Sequence, residues 1–146
     1  VKTTIPYCLL FVVLLINARS AFSQNAASHE HATTAPHNGL VKQADDYHIE
    51  MVRTNEQQGK ASVAVYTFYL LDSAMNTLPN TGKTGVVFIQ TSEGISTQEK
   101  TNSEGNEKLV CKLQLNGVAT LLIVTIKDNE KEYTATYKQN ASPMGK

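Results

Sequence analysis

From Gly39 onward, short runs rich in Val, Ile, Tyr, Thr and Leu alternate with turn residues every eight to twelve positions. No helical period persists beyond one turn, so the pattern predicts strands and no helices. Strands are expected at Leu40–Gln43, Tyr47–Arg53, Val63–Leu71, Gly85–Thr91, Ser96–Thr101, Leu109–Leu115, Thr120–Lys127 and Glu132–Lys138. Between them lie a turn at Ala44-Asp45-Asp46, a second over Thr54–Lys60, and a loop over Met75–Lys83 punctuated by Pro and Gly. Val63–Leu71 is apolar on both faces, the mark of a central strand. Leu109–Leu115 alternates, with Leu109, Cys111, Leu113 and Leu115 on one face and Lys112 and Gln114 on the other. The strongest hairpin signal is Asp128-Asn129-Glu130, followed by Tyr133, Ala135 and Tyr137 pointing one way and Thr134 and Thr136 the other. Seven or eight strands in about 100 residues predict an all-β protein, an immunoglobulin-like antiparallel β-sandwich.

The sandwich domain is expected to span residues 38–139, with a polar, disordered tail at 140–146. Residues 24–37 (QNAASHEHATTAPH) are small and polar, with almost nothing to bury, and read as a flexible leader. Ahead of them, Lys2, the apolar run Cys8–Ile16 and the small residues at Ala21 and Ser23 have the three-part layout of a cleavable signal peptide, residues 1–23. The apolar run is shorter than the roughly 20 residues needed to span a bilayer. Cys8 lies inside the run, not after a lipobox. Export to the periplasm, with no membrane span after cleavage, is therefore the expectation.

Charge narrows the partners. The chain carries 13 Lys and Arg against 13 Asp and Glu, and cleavage after Ser23 removes Lys2 and Arg19 but no acid, leaving a net charge of −2. Scattered lysines on a nearly neutral surface give no footprint for nucleic acid. Of the two cysteines only Cys111 follows the signal segment, so no intramolecular disulfide can form and the core must carry the fold.

Two motif matches are set aside. Leu78-Pro79-Asn80-Thr81-Gly82 spells a sorting signal but is followed by half the domain rather than an apolar tail, and reads as a turn. Gly82-Lys83-Thr84 resembles the end of a phosphate-binding loop, yet position 77 is Thr and no helix pattern follows. Cys111 falls on an apolar strand face, where a thiol is a small buried hydrophobe. No nucleophile elbow or carboxylate pair is present, so an enzyme is not expected.

The histidines are more informative. His29, His31, His37 and His48 all fall within residues 24–48 and none follows. His48 and Glu50, two apart in a strand, share the face opposite Tyr47, Ile49 and Met51. An imidazole and a carboxylate on an exposed strand face suit a borderline divalent metal. His37 could reach the same face, and His29-Glu30-His31 could add leader ligands. The alternative is that His48 and Glu50 pair only with each other and with solvent.

The stretch His37-Asn38-Gly39-Leu40-Val41, the strand Asp46-Tyr47-His48-Ile49-Glu50-Met51-Val52, then Tyr69-Leu70-Leu71-Asp72 and Leu78-Pro79 through Gly82 and Gly85 resemble small periplasmic domains. These accompany heavy-metal efflux systems, alone or at the start of periplasmic adaptor subunits of resistance-nodulation-division pumps. The resemblance covers roughly residues 37–91; Asn38 stands where the pattern has Gly. It implies a periplasmic β-sandwich in copper-type metal handling, with His37, His48 and Glu50 at the motif positions as ligands for Cu or Zn. A metal-efflux adaptor or another envelope protein is the implied partner. The competing expectation is a structural or protein-interaction sandwich of the envelope without a small ligand.

Overall fold

The computed structural model describes residues 35–139; the expected signal peptide, most of the leader with His29 and His31, and the tail at 140–146 lie outside them. The described chain is all-β, with nine strands: β1 Leu40–Ala44, β2 Tyr47–Gln58, β3 Ala61–Leu71, β4 Lys83–Thr91, β5 Ser96–Lys100, β6 Asn102–Glu104, β7 Lys108–Leu113, β8 Ala119–Asp128 and β9 Lys131–Lys138. Among the described residues no helix is long and apolar enough to cross a membrane.

The strands form two antiparallel sheets, one in the order β1-β2-β3-β7-β6 and the other β5-β4-β8-β9. Alternation along each strand supplies the core between them. The first sheet contributes Ile49, Met51, Tyr66, Phe68, Leu70, Leu109 and Cys111; the second contributes Val87, Ile89, Leu122, Val124, Ile126 and the expected Tyr133, Ala135 and Tyr137. Tyr137 also ties the sheets, its buried hydroxyl donating to the Ile49 carbonyl at 2.7 Å.

Two expected boundaries change. Thr54–Gln58, read as turn, continues β2 in unbroken register with β3 as far as Gln58↔Ala61, and only Gly59 and Lys60 turn. Gly59 there takes a φ of +63°, which only glycine adopts freely. The segment is exposed throughout. With neither face buried it has no hydrophobic alternation to mark it as strand. The other addition is β6, three exposed polar residues that pair with β7.

Candidate functional site

Strand β2 places the three expected residues around one spot. Ile49 and Met51 enter the core, and His48 and Glu50 take the opposite face, as alternation requires. That face is not open at Glu50, whose relative exposure is 0%. Here the expectation of an exposed carboxylate is corrected: residues 35–39 fold over it. Ala35 to Asn38 form a turn closed by the Asn38 amide donating to the Ala35 carbonyl at 3.1 Å, with Asn38 at φ +60°. The left-handed conformation explains how Asn can stand where the resembling pattern has Gly, since Asn is among the few other residues that tolerate it.

Glu50 holds this turn down. Its Oε1 accepts from the Gly39 amide at 2.7 Å and from the His37 amide at 2.9 Å, and its Oε2 is 2.9 Å from His37 Nδ1. The approach is close enough to need Gly39: a Cβ there would lie 2.5 Å from the Met51 carbonyl oxygen and 2.8 Å from Glu50 Cγ. Across the strand pair, Tyr69 stands opposite Glu50, and the His37 ring stacks on it with centroids 3.6 Å apart and planes 3° from parallel. Burial, followed by the charges of Glu50 and Glu107, raises the Tyr69 phenol above its ordinary range.

This geometry fixes the chemistry of His37. A carboxylate that accepts two backbone N–H groups is an acceptor, so Nδ1 of His37 carries the proton it shares with Glu50. In the neutral ring Nε2 is then the basic nitrogen, and Thr77 Oγ1 lies 3.4 Å from it. Thr77 belongs to the β3–β4 loop and forms a bridge to Leu71, the residue opposite His48 in the β2–β3 register. His48 is half-buried, and its Nδ1 is buried without a hydrogen-bond partner.

His37 and Glu50 are thus brought into contact, while His48 is not joined to them. Among the described residues no three His, Cys, Asp or Glu side chains are grouped so as to hold a metal ion. Glu50 has its oxygens engaged by His37 and Gly39. Its position is that of a group that orients an imidazole, the arrangement usual behind metal-binding histidines.

Residues not singled out from the sequence close this end of the sandwich. Asn80, inside the LPNTG stretch, is buried at 6% exposure, and its Nδ2 donates to the Lys108 carbonyl at 2.7 Å. Its backbone amide donates to the Asn106 carbonyl at 2.7 Å, pinning the β3–β4 loop to the β6–β7 turn. Lys83, from the discarded phosphate-loop match, begins β4 and pairs with Asp128 at 3.3 Å. A polar residue between Pro and Gly gives no sign of burial in the sequence. Cys111 lies inside the core at 1% exposure, and burial, with a smaller contribution from Glu99, pushes its thiol up to about 11.

The chain matches no protein-family model and no curated protein.

Proposed function

We propose that this chain is an exported, periplasmic binding module of the cell envelope, with the imidazole of His37 as its ligand-facing group. The single observation that carries the reading is the buried carboxylate–imidazole pair: Glu50, shielded from solvent, fixes the ring of His37 at 2.9 Å through Nδ1 and so makes Nε2, which has only Thr77 Oγ1 at 3.4 Å beside it, the basic nitrogen. The ligand class is a borderline metal ion, Cu or Zn, consistent with the resemblance to efflux-associated domains. His37 is the ligand, Glu50 its positioning group, and His48 an adjacent imidazole rather than a member of a closed set.

The sandwich is of the immunoglobulin-like type on this reading. Its support is the connectivity: with β2 as the first strand of the pattern, the sheets run first-second-fifth-fourth and, with one added strand, third-sixth-seventh, and β1 is an extra edge strand. Residues 1–23 are the cleaved export signal; a mature mass beginning at Gln24 in a periplasmic fraction is the expected finding.

Calorimetric titration with Cu(II) and Zn(II) tests the metal reading, using protein in which His29 and His31 are replaced by Ala so that leader capture cannot interfere. Binding at micromolar concentration should be lost in His37→Ala and weakened about 10- to 100-fold in Glu50→Gln, the usual effect of removing an orienting partner. If the protein with His29 and His31 replaced by Ala binds neither ion, the metal reading fails. The second reading, a protein-interaction sandwich, rests on a separate observation: Glu50 is fully engaged in holding the approach to β1, a structural task needing no ligand.

A further inference from the structure

Strand β2 is twice as long as its edge neighbour needs. β1 pairs with Tyr47–Met51 and ends at Leu40↔Met51, while β2 runs on to Gln58, paired only with β3 among the described strands. The chain cannot extend β1 along this edge, because Glu50 holds His37 and Gly39 in the turn that leads into it. Among the described residues Val52–Gln58 is therefore an unpaired edge, exposed from Arg53 onward, where the Arg53 side chain reaches Gln139 Oε1 at 3.4 Å.

The direction of its backbone groups follows from the two hairpins. Two-residue turns flank hydrogen-bonded pairs, here Ala44↔Tyr47 and Gln58↔Ala61, and such pairs alternate with unbonded ones. Counting from Gln58, the even residues of β2 bond to β3. Counting from Tyr47, residues 47, 49 and 51 bond to β1. Both counts agree that Arg53, Asn55 and Gln57 aim their N–H and C=O groups away from β3, into the open edge. The register with β3 is continuous and the segment contains no proline, so neither a bulge nor a missing N–H interrupts the edge, although Arg53 and Glu56 put charge on it.

We propose that this edge pairs with the same edge of a second copy of the chain, antiparallel about a two-fold axis at Asn55. Centred there, three hydrogen-bonded pairs form: Asn55 with Asn55, and Arg53 of each copy with Gln57 of the other. Shifting the centre to Thr54 or Glu56 leaves only two such pairs. Thr54 faces Glu56 and Val52 faces Gln58, so no like charges stand opposite each other. The step where β1 stops receives the Gly59-Lys60 turn of the other copy, beside Leu40, whose side chain is 55% exposed. The contact is isologous and uses both free edges, so it closes at two copies. It is independent of the imidazole site.

A pairing of seven residues per copy is far smaller than the standard interface of about 1,600 Å², so the dimer should populate towards about 0.1–1 mM. Sedimentation velocity over that range should show a two-chain species. Hydrogen exchange should show protection of the Arg53, Asn55 and Gln57 amides that rises with concentration, while the Thr54 and Glu56 amides are protected throughout by β3. Asn55→Pro removes an edge-facing N–H and no bond to β3, so it should retain the fold and abolish the dimer. A monomer at all concentrations, a dimer undisturbed by Asn55→Pro, or concentration-dependent protection without the odd-residue alternation would each overturn the proposal. So would protection of this edge only when an extended peptide is added. Should the proline variant misfold, the alternation in the unaltered protein decides alone.

Discussion

Glu50 shows how much a single residue can be asked to hold. Glu50→Ala leaves the amides of His37 and Gly39 without their acceptor, at a cost of about 1–3 kcal/mol for each buried donor left unpaired. Urea unfolding should therefore register a loss of about 2–4 kcal/mol. His37→Ala, which removes a ring with 25% side-chain exposure, should cost only about 1 kcal/mol. Equal, small losses in both variants would mean that the turn is not held by the carboxylate. The side of β2 on which Glu50 lies was legible, because alternation alone assigns it. Its burial was not, because the cover comes from residues 35–39, whose path depends on a left-handed residue at Asn38 and a close approach at Gly39. Neither leaves a hydrophobic pattern. Gly39→Ala should be as damaging as the loss of Glu50, since the Cβ meets backbone rather than a movable side chain.

Elements whose two faces differ were read correctly, and of those that bury neither face only β5 was. The inward set of β7 and the Tyr133-Ala135-Tyr137 face of β9 lie in the core as the alternation predicts. The outer half of β2 and all of β6 are exposed on both faces, and strands of that kind are defined by their neighbours' hydrogen bonds rather than by their own side chains. The β3–β4 loop is the converse case: its Pro and Gly announce a turn, but the residue that seats it is Asn80. Asn80→Ala removes the bond to the Lys108 carbonyl and a longer one, at 3.3 Å, to that of Gly105. A loss of about 1–2 kcal/mol is expected, together with faster proteolytic nicking within residues 72–82 than in the unaltered protein. Unchanged nicking would show that the backbone bond from Asn80 to Asn106 suffices to hold the loop.

At the scale of the whole molecule, no disulfide joins the described strands, and the sheets are held by the apolar core and by Tyr137 reaching across it. Buried acids in that core, Cys111 and Tyr137 among them, make stability fall at alkaline pH. Cys111 is pushed up from 9.0 to about 11, chiefly by burial, and Tyr137 is raised for the same reason, with Glu50 adding to it. Raised acids ionise more readily once unfolded, so the unfolded state binds fewer protons than the folded one through the window between the two values. Below pH 9 both states keep the Cys111 proton and its contribution is intact; from about pH 9 to 11 it is progressively lost. That loss is on the order of 1–3 kcal/mol. Urea midpoints measured from pH 7 to 11 should be level at first and then fall. Cys111→Ala should be less stable at pH 7 because of the cavity, yet decline less steeply between pH 9 and 11, so the slope rather than the absolute midpoint carries the comparison. A thiol reagent at pH 8 should label Cys111 only as fast as the protein unfolds. Rapid labelling of the folded protein, or a midpoint that stays level to pH 11, would place the thiol outside the core that its strand alternation assigns it to.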